Sequence, residues 1–417
     1  MFSRFFSKRP ALIVGLDIGT SLVKLAVGER RPDGCLTLLG AHHVESRGLR
    51  RGEVMDHNQA SSCVFQAIRE TEELLNMEIG KVEVALTGGH IESANHRGTV
   101  PIRSATGQIS PDDVEDAVEA ARGGVSISEG RVVFHVIRQQ YYVDGKDGVA
   151  NPVGLVGRRL EADTHMVHGV GTRLQNTLQC LHSQDGSLVD VGSHVFSGLA
   201  SSLAVLGRHE KEMGVILLDI GAGTTEYVAY SKGMIRQMGV LPVAGDHLLN
   251  DILLGLKIQS RRLGEALIHE HGCVWPEPSG NPEIKGKTVS VKTSELLPDR
   301  ERVIPLEYIH AILYHRMDET LRIVRERLHA QGSLNMVASG VVLTGGVSRL
   351  PGIVELTQSV FGMPAVVGIP QGFDGIMERA AQPEMATVLG LLKYAALRGA
   401  GEKRESNGFW DQFKKIV

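Results

Sequence analysis

The stretches ALIVGLDIGTSLVKLAVGE, residues 11–29, and GVILLDIGAGTTEYVAYSKG, residues 214–233, carry one pattern twice. Each is an apolar, β-branched run, then Asp-Ile-Gly, then small or hydroxylated residues, then a second apolar run. Such runs favour buried strands, and glycine with small residues between them makes a tight turn, so each copy predicts a strand, a turn and a returning strand. The two aspartates, Asp17 and Asp219, stand 202 residues apart, a domain-sized interval. The chain therefore reads as two similar α/β domains facing each other across a cleft.

A turn of this kind offers backbone N–H groups and hydroxyls to a phosphate, with Gly19, Gly221 and Gly223 leaving room for close approach. Thr20 and Ser21 would donate from one side, Thr224 and Thr225 from the other. Asp17 and Asp219 would hold a hydrated Mg²⁺, a hard cation suited to carboxylate and phosphate oxygens, and Lys24 would add positive charge near the terminal phosphates. A third stretch, SGVVLTGGVSRLPGIVEL at 339–356, predicts a strand, a Gly345–Gly346 turn and a helix, where paired glycines let the backbone lie flat against a base or sugar. One Asp-x-Gly-Thr turn is commonplace in hairpins; two copies and this third loop point to a nucleotide.

Composition narrows the classes. The 417 residues carry 44 Lys+Arg against 48 Asp+Glu, a net charge of −4, which argues against nucleic-acid binding by bulk charge. At 42% hydrophobic and 22% charged the chain is globular, and its length predicts more than one domain. The 49 glycines, well above the usual ~7%, suit many strand-to-loop turns. Four scattered cysteines without CxxC spacing indicate neither a disulfide framework nor a zinc site and suggest a reducing compartment. No apolar run reaches the ~18 residues of a membrane span. The signal-like start is interrupted by Asp17 and Gly19, so the expectation is a cytoplasmic protein.

Between the copies, residues 87–163 break the rhythm with PDDVEDAVEAARG, a helix capped near Ser110 and Pro111, and RVVFHVIRQQYYVDG, a strand ending in a turn. This predicts an inserted subdomain. After the second copy come a helical stretch at about 245–271, a polar segment with a short hairpin, and a long helix at about 306–331 whose apolar stripe belongs to a core. The segment GNPEIKGKT at 280–288 imitates a P-loop but has five residues between its glycines where four are needed. The 17 histidines show no HExxH motif and are expected to be packed or solvated.

The two ends stand apart. Six of the chain's 19 aromatic residues lie in its first ten and last ten positions, where an even spread would place about one. On a helix, Phe409, Trp410, Phe413, Ile416 and Val417 share an arc of about 120°, with Lys414 and Lys415 behind it. The stripe follows GAGEKRESNG, 399–408, which has the composition of a flexible linker. A tethered, basic, aromatic-rich end suits a membrane surface, held weakly by one tail and firmly by several. Phe2, Phe5 and Phe6 offer a second contact or cap the first strand.

The motifs LDIGTSLVKLAV, LLDIGAGTTEY and VVLTGGVSRLPG, in this order and spacing, resemble the phosphate-1, phosphate-2 and adenosine motifs of the actin, Hsp70 and sugar-kinase superfamily. Within it, NPVGLVGRRLEADTHMV at 151–167, FSGLASSLAVL at 196–206, GLLKYAAL at 390–397, the insertion and the tail resemble the FtsA family over nearly the whole chain. The resemblance implies an actin-like, ribonuclease-H-like fold of two domains around a central nucleotide cleft, with a 1C-type insertion and a C-terminal amphipathic helix. On that pattern 1–86 and 164–195 form subdomain 1A, 87–163 subdomain 1C, 196–245 and 331–398 subdomain 2A and 246–330 subdomain 2B. A linker at 399–407 and a membrane-targeting helix at 408–417 complete it.

The resemblance further implies ATP with Mg²⁺ as cofactors, polymers on the cytoplasmic face of the inner membrane at the division site, tethering of FtsZ filaments and recruitment of other divisome proteins. Asp17, Gly19, Thr20, Ser21 and Lys24 match phosphate-1; Asp219, Gly221, Gly223, Thr224 and Thr225 match phosphate-2; Gly345 and Gly346 match the adenosine loop. Glu265 matches an acidic residue that the superfamily places on the ribose, although Ile268 stands where related chains often show Lys. ATP would act as a conformational ligand with slow or incidental hydrolysis. Two alternatives stay open: a PilM-like pilus-platform protein, and a small-molecule kinase, which would need a general base that no third acidic motif supplies.

Overall fold

The computed structural model describes residues 11–31, 33–182, 186–275, 285–292, 301–375 and 380–401. The first half opens with an antiparallel meander of β1 (Ala11–Ile18), β2 (Leu22–Arg30) and β3 (Leu36–Glu45). A short hairpin, β4 (Leu49–Arg50) and β5 (Glu53–Val54), leads into α1 (His57–Leu75), whose first turn is capped by the Asp56 carboxylate accepting from Gln59 N. β6 (Lys81–Leu86) then returns parallel to β1.

The insertion comes next as β7 (Glu92–Pro101), α2 (Pro111–Gly123), β8 (Arg131–Val143), β9 (Lys146–Val149) and β10 (Arg159–Val170), a four-stranded sheet ordered β7-β10-β8-β9. α2 starts where the sequence signals it, with Ser110 and Asp113 forming a reciprocal capping box and Pro111 in the first turn. β10 runs on to Val170, past Asp163, the end expected for the insertion. α3 (Gly171–Gln179) and β11 (Asp190–Phe196) complete the first sheet, ordered β3-β2-β1-β6-β11.

The second half repeats that order. After α4 (Ser197–Val205) and α5 (Arg208–Met213) come the meander β12 (Val215–Ile220), β13 (Thr225–Ser231) and β14 (Met234–Leu241). The expected helical stretch is two helices, α6 (Gly245–Leu256) and α7 (Arg261–His271), separated at Lys257 by a left-handed residue. A hairpin of β15 (Thr288–Lys292) and β16 (Glu301–Pro305) precedes α8 (Leu306–Ala330), whose Ile309, Leu313, Met317, Leu321, Val324 and Leu328 are buried in the second core. β17 (Val341–Thr344), α9 (Ile353–Phe361), β18 (Ala365–Val367) and α10 (Ala386–Gly401) finish the described chain. The sheet runs β14-β13-β12-β17-β18, with β17 parallel to β12 and β18 to β17, as β6 and β11 follow β1.

The internal repeat is thus a repeat of topology, and the two-half α/β architecture is as the sequence predicts. α4, buried throughout, and α10 cross between the halves, where a side chain at Gly390 would strike the Ala200 carbonyl. The insertion also reaches the second half. Gln139 donates to Ile235 O at 2.8 Å and accepts from Ile235 N at 2.6 Å, and Ser93 makes the same paired contact with Met238, satisfying polar groups along the outer edge of β14.

Three expectations concern segments away from the cleft. The P-loop imitation is excluded by its downstream element: Thr288 begins a strand, not the helix a P-loop requires. Among the described residues no helix is long and apolar enough to cross a membrane. The tail residues Phe409, Trp410, Phe413, Lys414, Lys415, Ile416 and Val417, like Phe2, Phe5 and Phe6, lie outside the described residues, while α10 carries the first three positions of the expected linker.

Candidate functional site

Both Asp-Ile-Gly turns close by the same hydrogen bond: Gly19 N donates to Leu22 O at 3.1 Å, and Gly221 N to Thr224 O at 2.9 Å. Each aspartate is the next-to-last residue of its strand, facing the second residue of the returning strand or its neighbour; the pairs are Asp17 with Lys24 and Asp219 with Glu226. The two turns meet at Gly223, where a side chain would collide with the Thr20 hydroxyl, so glycine is required for the halves to approach this closely.

Asp17 and Lys24 form an ion pair of 3.0 Å with little exposure on either side chain. Burial alone would lower the Lys24 pKa, but the Asp17 charge and hydrogen bond, with Asp219 and Glu384 beyond, raise it above the ordinary lysine value. Lys24 is therefore held charged, committed first to Asp17. Asp219 is buried and accepts from the hydroxyls of Ser201 on α4 and Thr387 on α10, which ties it to both crossing helices. Its pKa is raised, chiefly by burial, against the opposing effects of Ser201 and Lys24.

Glu226 is the functional candidate that reading the motifs missed. It is buried, accepts from Thr87 of the first half, and has its pKa pushed up to about 7 by burial and then by the Asp219 charge. The signal was present: in an antiparallel pair joined by a four-residue turn, the residue opposite Asp219 is fixed by counting. No third acidic motif stands out in the sequence; the register nonetheless brings the Glu226 carboxyl near the two aspartates.

The remaining residues divide. Thr20 accepts from Gly52 N at 3.0 Å, and Ser21 is exposed at its turn. Thr224 is buried beside Glu226, to which its hydroxyl is hydrogen-bonded. Thr225 donates its proton to Val243 O at 2.8 Å, anchoring the connection from β14 to α6 instead of facing the cleft. Gly345, at φ 83°, passes against Asp219 and Ile220 where a side chain would clash, and Gly346 beside it has open space where a side chain would stand.

Glu265 is paired with Arg261 at 2.8 Å, and Arg261 also holds Asp246 at 2.6 Å. Asp246 N in turn donates to Ala222 O at 2.7 Å, so Glu265 is linked to the second turn through two residues of α6 and α7. Ile268 packs against the second core, which explains an apolar residue at that position. Among the described residues no group of three or more His, Cys, Asp or Glu is arranged to hold a metal. The buried histidines are packed and neutral: His135 accepts from Phe196 N, and burial lowers both His135 and His165 to about 3.

A family model described as the SHS2 domain inserted in FtsA matches residues 88–168, and one described as cell division protein FtsA matches 216–390. Cell division protein FtsA of Pseudomonas aeruginosa is 34% identical over 397 residues, covering 95% of this chain and 91% of its own. That of Escherichia coli K12 is 32% identical over 407 residues, covering 97% and 94%. A solved structure of the PilM-PilN type IV pilus biogenesis complex superposes with a TM-score of 0.62 at 16% identity, covering 93% of this chain and 98% of that one, a likeness of fold. With about a third of its residues shared along nearly its whole length, the chain belongs to the FtsA family of cell division proteins.

Proposed function

We propose that the chain binds ATP with Mg²⁺ between its two half-sheets and uses the bound state to govern assembly as a division adaptor. The observation that carries this reading is the pair of matched glycine turns meeting at Thr20 and Gly223, with an open glycine at Gly346. Phosphates would lie against the turn N–H groups of Ser21 and Gly223, the N–H groups of Gly19 and Gly221 being used to close the turns, and the base and sugar against Gly345–Gly346, with Glu265 towards the ribose. Asp17, Asp219 and Glu226 outweigh Lys24 in charge, which favours a divalent cation held by Asp17 and Asp219 through water. When bound, Mg²⁺ would neutralise phosphate charge; the chain's part is to orient it and exclude water. Hydrolysis is at most a slow accompaniment.

Polymers of the protein would gather on the cytoplasmic face of the inner membrane at the division site, anchored by residues 408–417, and would hold FtsZ filaments and later divisome proteins there. Family membership and the composition of the tail support this, and many weak tails on one polymer give firm attachment. Co-sedimentation with anionic liposomes and FtsZ filaments tests it, with and without ATP, comparing the full chain with one ending at Asn407. The full chain alone should carry filaments to the membrane, more so with ATP. Equal behaviour of the two chains, with no FtsZ brought down, would sink the adaptor role and return attention to the pilus-platform and kinase alternatives.

A further inference from the structure

The hairpin β4–β5 does not end in solvent. Its two turn residues, Arg51 at φ 53° and Gly52 at φ 76°, adopt the left-handed pair of a type I′ turn, as do Asp144–Gly145 and Lys232–Gly233 in two other hairpins. What distinguishes the first is its surroundings. Gly52 N donates to Thr20 Oγ1 at 3.0 Å, and a side chain at Gly52 would strike the methyl groups of Thr87 and Thr224. A side chain at Gly223 would meet the Arg51 backbone as well as Thr20. The tip is therefore wedged between the first turn, the end of β6 and the second turn, with Gly52 buried and Arg51 exposed.

The charge at that tip is felt in the second half. Burial first, then the positive charges of Arg51 and Arg316, lower the pKa of His247 in the first turn of α6, the helix that the second turn leads into. No ion pair to Arg51 is formed among the described residues, whereas Lys24 is engaged by Asp17. The two ends of the second turn are also unlike: Gly345 lies against Asp219 and Ile220 at its strand end, and Arg51 lies against Gly223 at its outer tip. A nucleotide with its base at Gly345–Gly346 and its phosphates along the turn would bring its last phosphate towards the Arg51 end.

We propose that Arg51 is the residue that reads the terminal phosphate, so that the chain distinguishes a nucleoside triphosphate from a diphosphate through the β4–β5 hairpin. This rests on the nucleotide reading above. A guanidinium gives a terminal phosphate two parallel charge-assisted hydrogen bonds that a diphosphate in the same pose cannot reach. Because the hairpin belongs to the first half and touches the second at Gly223 and Thr224, the contact would also favour the closed arrangement of the halves.

The test is equilibrium binding of fluorescent ATP and ADP analogues to the full chain with Mg²⁺, in the wild type, Arg51→Gly and Arg51→Lys. Glycine suits the left-handed position, so Arg51→Gly removes the cation without straining the turn, and thermal unfolding without nucleotide checks that the fold persists. Arg51→Gly should weaken ATP about 10- to 100-fold while changing ADP less than about threefold, and Arg51→Lys should recover part of the loss. Equal weakening of both nucleotides, or of neither, in a folded variant overturns the proposal. If the wild type binds neither, the nucleotide reading itself fails, a result distinct from a loss of selectivity.

Discussion

In the first half of the molecule the residue opposite the turn aspartate is Lys24; in the second half it is Glu226. The two half-sheets share strand order and the closing hydrogen bond of the turn, so this is a difference of charge on a common frame. Asp17 is neutralised where it stands, whereas Asp219 has two hydroxyls and a neighbouring carboxylate. The first turn is thus electrically complete, and the second carries negative charge that an added cation or proton would relieve. The two half-sheets share a backbone pattern and differ in charge at this register position.

The comparison can be broken first at Lys24. Lys24→Met leaves Asp17 buried without its partner and should destabilise the protein by about 3 kcal/mol or more, read from urea unfolding. A loss below about 1 kcal/mol would mean that the ion pair is incidental.

Glu226→Gln tests the second half with opposite sign. A carboxyl whose pKa rises from 4.5 to about 7 on folding favours the fold fully below pH 4.5 and loses that contribution as pH rises through 7. At pH 8 the variant should therefore be more stable than the wild type, by at most about 3 kcal/mol, with the difference vanishing towards pH 4.5. The buried histidines of the insertion act the other way: with His135 and His165 lowered to about 3, their contribution is present above pH 6.5 and lost as pH falls. The variant-minus-wild-type difference across pH isolates Glu226, and a flat difference would show that it is not held near neutrality.

The smallest expected effect lies at the second bridge between the halves. Gln139→Ala removes both partners of the Ile235 backbone at the edge of β14 and should cost about 1–2 kcal/mol. Faster amide exchange in β14 with β12 unaffected would mark this contact as a local clasp, and no change in either would show that water replaces it.

Local features were legible because they have local causes. The repeated turns, the Ser110 cap, the stripe on α8 and the strand-Gly-Gly-helix of β17 each follow from periodicity or turn chemistry within about a dozen residues. From the repetition alone came the two matched half-sheets and the equivalent places of Asp17 and Asp219 in them. What tertiary structure decided was which distant groups meet. Thr87 reaches Glu226 across 139 residues, Gly52 reaches Thr20 and lies against Thr224, Thr225 spends its hydroxyl on Val243, and Ile268 turns to the core. Side-chain spacing along a strand or helix sets which face a residue occupies, but the partner on that face depends on how the two halves pack. The charge balance around Asp17, Asp219 and Glu226, and the meeting of the Arg51 backbone with Gly223, therefore emerge only when the halves pack.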